Sequence, residues 1–234
     1  MRRVLITGSN RGLGLEFVRQ CLARGDRVFA GCRDPRSAAD LAMLSMAHPQ
    51  HLVILTLDVT DEESIGPVVE AVRLQVDGLD LLINNAGTYP RGETPTNLNA
   101  ETMLQAFRLN SVAPMMVAQR CLDLLRAGNQ PSIVNISSKM GSLWWKEREG
   151  GSDYSYCSSK AALNMLSRTL AFDLRSEGII VVALNPGWVQ TDMGGGNADL
   201  TPAESVRGML DVIARLTKAD TSKFLTWEGQ EHPW

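Results

Sequence analysis

Tyr156 and Lys160 stand four residues apart in the run Tyr-Cys-Ser-Ser-Lys, at the head of an apolar-periodic stretch that reads as a helix. On a helix that spacing projects both side chains from one face. An ammonium beside a phenol favours phenolate and is expected to draw the phenol's pKa down from its usual value of about 10. Ser138 closes Pro131-Ser-Ile-Val-Asn-Ile, a short β-branched stretch read as a strand, and its hydroxyl could hold a carbonyl oxygen beside that phenol. The three side chains make a set for moving a proton to or from an alcohol oxygen. A Tyr-x-x-x-Lys spacing is common on solvated helix faces, so the case depends on what surrounds it.

A second chemical stretch lies at the start of the chain. Arg3-Val-Leu-Ile-Thr7 reads as a strand, and Gly8-Ser9-Asn10-Arg11-Gly12-Leu13-Gly14 follows at once, then a helical pattern ending near Gly25. Strand, glycine loop and helix together suit a pyrophosphate: Gly8 and Gly12 allow a tight turn, Gly14 allows close packing, and the helix N-terminus offers free N–H groups. The spacing departs from G-x-G-x-x-G, and a tight turn without ligand is the competing reading. A dinucleotide fold that selects NAD places an acid after the second strand. Here Asp26-Arg-Val-Phe-Ala-Gly31 is followed by Cys32 and Arg33. Arg33 with Arg11 makes a two-guanidinium site suited to a 2′-phosphate, so NADP(H) is the expected cofactor. Asp34 precedes Pro35 and is read as starting a turn.

The elements that must position these groups alternate along the chain. Further strands are expected at His51–Leu57, Leu79–Ile83, Gly178–Leu184 and Lys223–Trp227, with helices over 37–47, from Thr60 as N-cap to Val76, over Ala100–Ala127 and from Thr201 to Leu216. Pro114 is expected to kink the long helix that carries Asn110, and Thr88–Leu98 reads as a loop. Gly194-Gly195-Gly196 is read as a hinge. The pattern predicts one α/β domain over residues 1–234, with a doubly wound parallel sheet of about seven strands and helices on both faces. Ligand chemistry in such a sheet belongs at the carboxyl ends of the strands, and the polar clusters at Gly8–Gly14, Arg33, Asp58, Asn85–Gly87, Ser138 and Pro186–Thr191 all follow strands.

Composition narrows the partners. The 234 residues are 44% hydrophobic with net charge −3 and no long charge block, which argues against nucleic acid or an anionic membrane as partner. Cys21, Cys32, Cys121 and Cys157 have no C-x-x-C spacing, and His48, His51 and His232 have no metal-ligand pattern, so no metal is expected. A strand beginning at residue 3 leaves no secretory leader to expect, and no apolar run approaches the ~18 residues of a membrane span. A cytoplasmic protein acting on a small-molecule carbonyl or alcohol is the expectation.

With Thr7-Gly-Ser-Asn-Arg-Gly-Leu-Gly14, Asn84-Asn-Ala-Gly87, Asn110, Ser138, Tyr156-Cys-Ser-Ser-Lys160 and Pro186-Gly187 in order, the chain resembles the short-chain dehydrogenases/reductases, which have a Rossmann-type fold. Ile136–Ser142, Tyr154–Asn164, Pro186–Gly194 and the terminal Trp234 look like the C-factor/sniffer-type carbonyl reductases. The resemblance implies that Tyr156 is the general acid when an aldehyde, ketone or quinone is reduced, and the base in reverse. Lys160 would lower its pKa and hold the nicotinamide ribose, Ser138 would orient the substrate oxygen, and Asn110 would anchor a water linking Lys160 to solvent. Ser9, Asn10, Arg11 and Leu13 would bind cofactor with the loop glycines. Asp58 and Val59 would meet adenine, Asn85, Ala86 and Gly87 the adenosine ribose, and Pro186, Gly187, Val189 and Thr191 the nicotinamide end. Family members commonly pair through two long helices, here Ala100–Ala127 and Tyr156–Ser176, which implies a homodimer or homotetramer. Asn110 could instead only tie helix to sheet. Ser137 should point to the other side of a strand-like end.

Ser138 and Tyr156 are 18 residues apart, a longer spacing than is usual in the family, the extra length being a charged loop, Lys146–Gly151. Trp144 and Trp145 just before it, and Trp188, are candidate walls of a pocket for flat or apolar carbonyl compounds. Two other functions compete: a dinucleotide-binding signalling or scaffold protein with little turnover, which has no chemical need of the Tyr–Lys–Ser set, and an NAD-dependent alcohol dehydrogenase, which Cys32 in place of an acid disfavours.

Overall fold

Short β-branched segments bounded by polar turns pair side by side into one sheet of seven strands in the computed structural model, which describes residues 1–149 and 151–234. The strands are β1 (Arg3–Thr7), β2 (Arg27–Cys32), β3 (Leu52–Thr56), β4 (Leu81–Asn84), β5 (Ser132–Ile136), β6 (Ile180–Asn185) and β7 (Phe224–Thr226). Their spatial order is β3-β2-β1-β4-β5-β6-β7, and every neighbouring pair is parallel. Each parallel step needs a crossover, and helices supply them: α1 (Gly12–Ala23), α2 (Ala39–Ala47), α3 (Glu62–Arg73), α4 (Ala100–Phe107), α5 (Ala113–Arg126), α6 (Leu143–Glu149), α7 (Tyr154–Leu174) and α8 (Pro202–Arg215).

Because both faces carry helices, the central strands are buried along their whole length. Alternate residues feed two cores. Val4, Ile6 and Val182 pack with Phe17, Leu41, Val206 and Ile213 of α1, α2 and α8, while Leu5, Leu82 and Val181 pack with Val68, Val117 and Ala171 of α3, α5 and α7. The strand order reverses between β1 and β4, and there the carboxyl ends part to leave a crevice. The amino ends are fastened instead: Asp80 accepts from Arg3 N at 2.8 Å, Arg3 Nε at 3.0 Å, Arg3 Nη2 at 2.6 Å and Asn129 N at 2.7 Å.

Three local expectations are corrected. The N-cap of α3 is Asp61, which accepts from Glu63 N, whereas Thr60 bonds back to Asp58. The helix expected over Ala100–Ala127 is broken by a π-turn at Arg108–Val112, ahead of Pro114 rather than at it. Pro114 lacks the N–H that an α-helix would give to Asn110's carbonyl four residues back, and the wider turn closes with Ala113 N donating to Arg108 O. The charged stretch after Trp145 belongs to α6 through Glu149, a run of helix-tolerant side chains in which Ser142 Oγ accepts from Trp145 N at 3.2 Å. Gly150, also in that stretch, lies outside the described residues.

Candidate active site

The crevice at the carboxyl edge is an open cleft, and its floor is the turn between β1 and α1. Gly8 and Gly12 have φ of +66° and +54°, a region that side chains other than glycine rarely adopt. A Cβ on Gly14 would lie 2.0 Å from the Gly8 carbonyl oxygen and 2.6 Å from Asn85 Nδ2, so helix and loop touch backbone to backbone. The Asn84–Gly87 segment after β4 is strapped to the same turn: Thr7 Oγ1 accepts from Asn85 N at 3.0 Å and Ala86 N at 3.1 Å, and Asn85 Nδ2 donates to Thr7 O at 2.9 Å. The N-terminus of α1 has no side-chain cap and no acid in its first turn. Its free N–H groups lie at the cleft with no negative charge in the helix's first turn, which fits a pyrophosphate. Asn10, Arg11 and Leu13 line the cleft, whereas Ser9 is wholly buried and donates its hydroxyl to Ile6 O at 2.8 Å, holding the turn against the sheet.

Arg33 stands exposed at the end of β2 and lines the cleft with Cys32 and Asp58. Asp34 accepts from Arg36 N at 3.1 Å within its own short turn, as its place before Pro35 predicts. Asp58 accepts from Thr60 N at 2.9 Å and Thr60 Oγ1 at 2.7 Å. Burial pushes its carboxyl up, but those bonds and the Arg33 and Arg108 charges outweigh burial and hold it below its ordinary value. The residues present fit an adenosine 2′-phosphate dinucleotide: a glycine cradle, an uncapped helix N-terminus and a guanidinium where an acid would repel phosphate. Arg11 bonds Asp192, another residue lining the cleft, at 2.7 Å with both side chains mostly exposed, an ion pair that is cheap to open.

At the far end of the cleft α7 brings Tyr156 and Lys160 to the end of β5. Against the larger upward push of burial, Ser138 acts on the Tyr156 phenol and lowers its pKa, its hydroxyl oxygen also accepting from Met140 N at 3.2 Å. Lys160 Nζ lies 5.9 Å from the Tyr156 ring centroid while donating to Ile136 O at 2.8 Å. Ser137 borders the cleft but its hydroxyl is engaged, donating to Asn164 Oδ1 at 2.6 Å, whereas Ser138 is not among the cleft-lining residues. The Asn110 amide is fully engaged: Oδ1 accepts from Thr88 N at 2.8 Å, and Nδ2 donates to Thr88 O and Ser159 Oγ, each at 2.9 Å. It ties the π-turn to the chain after β4 and to α7. A Cβ placed on Gly87 would meet Asn110 Oδ1 at 3.2 Å and Lys160 Nζ at 3.8 Å, so those two polar groups flank Gly87.

The electrostatics of the pair differ from the expectation drawn from spacing. Burial pushes the Tyr156 phenol up to about 12, with Ser138 pulling only partly the other way. Burial alone pushes the Lys160 ammonium down to about 8. Four-residue spacing brings the two groups near each other, but removing both from water raises the cost of either charge. The phenol is therefore the proton-bearing form at neutral pH.

Of the remaining predicted residues, Val59, Asn85, Ala86, Pro186 and Thr191 line the cleft, while Gly187 and Val189 are not among the residues that line it. Val189 is buried and paired with Leu200, and Gly187 (φ +79°) has Leu200 where a Cβ would go. Trp144, Trp145 and Trp188 are not among the cleft-lining residues. Trp144 lies under the Arg148 guanidinium at 3.7 Å, Trp145 Nε1 donates to His232 Nδ1 at 3.1 Å, and Trp188 Nε1 donates to Gly194 O at 2.8 Å. The glycine run read as a hinge is tied down, with Gly194 N donating to Thr191 Oγ1 at 3.0 Å and Gly195 N to Thr191 O at 2.8 Å. Leu57, Thr60, Thr88, Leu109, Asp192 and Met193 line the cleft without having been singled out in the sequence; their position just after strands or predicted site residues is the only signal they carry.

Comparison with known proteins agrees with this geometry. A family model described as short chain dehydrogenase matches residues 2–200. The C-signal of Myxococcus xanthus is 42% identical over 156 residues, covering 67% of this chain and 93% of that protein. An NADPH-bound carbonyl reductase from chicken fatty liver superposes with a TM-score of 0.94 at 43% identity, over 100% of this chain and 99% of that one. The carbonyl reductase Sniffer of D. melanogaster superposes with a TM-score of 0.95 at 32% identity, over 100% of both chains. With the cleft, the parallel sheet and these likenesses in agreement, the chain belongs to the short-chain dehydrogenase family of oxidoreductases.

Proposed function

We propose that the protein reduces a carbonyl compound, an aldehyde, ketone or quinone, to an alcohol with NADPH. The observation that carries this reading is Tyr156 with Lys160 beside it, both lining one end of a cleft whose other end is a phosphate cradle. NADPH, when bound, supplies the hydride. Ser138 Oγ donates to the substrate oxygen and holds it against Tyr156 Oη. Tyr156, protonated at neutral pH because burial raises its pKa, gives the phenolic proton to that oxygen as negative charge develops there. The Lys160 ammonium, next to the phenol, stabilises the phenolate left behind and bonds the nicotinamide ribose. Asn110 holds the chain between β4 and α4 in place and offers its carbonyl, which Pro114 leaves without an α-helical donor, to a water that relays the next proton. Arg33 meets the 2′-phosphate, with Arg11 joining it once its bond to Asp192 opens. Val59 borders the adenine, and Thr191 the carboxamide.

A second reading, a dinucleotide-binding signalling protein with little turnover, draws on the likeness to a protein named C-signal. One experiment separates them: NADPH and NADH oxidation across a panel of aldehydes, diketones and quinones, with Tyr156→Phe as the control. Loss of the phenolic proton donor costs about 10²–10⁴-fold in turnover while NADPH affinity is retained. Tight NADPH binding with no turnover on any carbonyl would favour the second reading. Assembly as a homodimer or homotetramer in the cytoplasm belongs to the same proposal, supported by the exposed apolar side chains of Leu104 on α4 and Met165 and Phe172 on α7.

A further inference from the structure

The helix that carries Tyr156 does not cap itself. Asp153, its N-cap residue, makes no capping hydrogen bond with its side chain. The cap comes from 62 residues away: Glu93, in the irregular segment between β4 and α4, accepts from Ser155 N at 2.8 Å through Oε2 and from the Ser155 hydroxyl through Oε1. Glu93 is 8% exposed, and Ser155 wholly buried, so the contact is internal. Ser155 is the second residue of α7, and Tyr156 is the third. One more contact joins the same pieces: the Tyr89 ring lies 4.5 Å from the Tyr156 ring, centroid to centroid. One residue before Tyr89, Thr88 is held through both its N–H and its carbonyl by Asn110. The segment from Thr88 to Glu93 is thus anchored on the π-turn at one end and on the first turn of α7 at the other.

A helix capped by its own neighbour stays ordered wherever the surrounding loops go. A helix capped by a distant carboxylate has its first turn placed by that carboxylate. The negative charge also lies at the positive end of the helix dipole, which strengthens the hold. Proton transfer to a carbonyl is sensitive to placement, because a displacement of 1 Å can cost about 10²-fold in rate. We propose that Glu93 is a positioning residue for Tyr156: it fixes the first turn of α7, and with Tyr89 sets where the phenol stands against Ser138. The inference rests on Tyr156 being the general acid.

The test uses the full chain and three variants, Glu93→Ala, Glu93→Gln and Ser155→Ala. Turnover of an active carbonyl substrate, NADPH affinity and amide hydrogen exchange over residues 153–160 are measured on each. Glu93→Ala is expected to lower kcat by about 10- to 100-fold, leave the NADPH Kd within about threefold, and speed exchange at Ser155 and Tyr156. Glu93→Gln keeps an oxygen for Ser155 N and can donate its amide N–H to the Ser155 hydroxyl oxygen, so it is expected to recover most of kcat. Ser155→Ala keeps the backbone bond and should fall between them, and it reports on the contact even where Glu93→Ala does not fold. Wild-type kcat and wild-type exchange in Glu93→Ala would overturn the inference, as would equal losses in the Ala and Gln variants together with lost NADPH affinity. If Tyr156→Phe turns over as fast as wild type, it is the functional reading that fails; the exchange rates then still decide whether Glu93 holds the turn.

Discussion

Lys160→Met removes a lysine buried in the cleft and should expose a conflict between stability and chemistry. Lys160 is 5% exposed, and burial lowers its ammonium from 10.5 to about 8. At 1.36 kcal/mol per pH unit, that interval corresponds to about 3 kcal/mol of stability that the cofactor-free protein forgoes at pH 7 to keep the charge inside. The sign follows from proton uptake. Between pH 8 and 10.5 the unfolded lysine holds its proton and the folded one does not, so stability rises with pH across that window, and the cost is full below it. Methionine has similar length and no charge, so the variant escapes this cost. It also strands the Ile136 carbonyl, which accepts from Nζ at 2.8 Å, and an unpaired buried acceptor costs about 1–3 kcal/mol. That second effect does not titrate. The variant should therefore range from about as stable as wild type to about 2 kcal/mol more stable at pH 7, and the gap should move by about 2–3 kcal/mol in favour of wild type by pH 10. Urea unfolding of both proteins without cofactor at pH 7 and pH 10 measures it, and turnover should be lost in the variant at both. A stability gap that is the same at the two pH values would refute the argument that burial depresses Lys160.

Other perturbations give equally definite outcomes. Gly14→Ala sets a methyl 2.0 Å from the Gly8 carbonyl oxygen, so it should cost about 1–3 kcal/mol by urea unfolding and weaken NADPH binding about tenfold or more by fluorescence titration. Arg33→Ser should lower the preference for NADPH over NADH by about tenfold or more in kcat/KM, with the NADH value little changed. Asp80→Ala strands the Arg3 guanidinium and Asn129 N–H and should cost about 3 kcal/mol at pH 7. Burial pushes the Asp80 carboxyl up, but its bonds to Arg3 and Asn129 bring it below 3.8, so its stabilisation is present above that value and lost as pH falls through the lowered folded pKa; the wild-type advantage in unfolding should shrink in that acid window.

The glycine turn, the Tyr156–Lys160 pair and the alternation of strand and helix were all legible as local patterns, because periodicity and turn chemistry act over a few residues. Thr201 with Glu204 was readable as a capping box for the same reason, and the box is present. Thr60 and Asp61 show the limit of that reading. Either side chain can cap a helix, and the choice of Asp61 follows from Asp58 engaging Thr60 first. The π-turn was half legible: Pro114 announced a disturbance, but where the extra residue went depends on Asn110 being held by Thr88 and Ser159.

What the chain determined by itself is the order of its elements, the residue types at each strand's carboxyl end and hence the kind of chemistry available. Only the tertiary structure decided how those residues stand. It raised the Tyr156 pKa and lowered that of Lys160, because burial depends on what packs around a side chain and not on its spacing from a neighbour. It turned Trp145 towards His232, 87 residues on, and capped the helix of Tyr156 with Glu93, 62 residues back. Desolvation and contacts of that separation arise only once the sheet has brought distant segments together, so no window of sequence contains them.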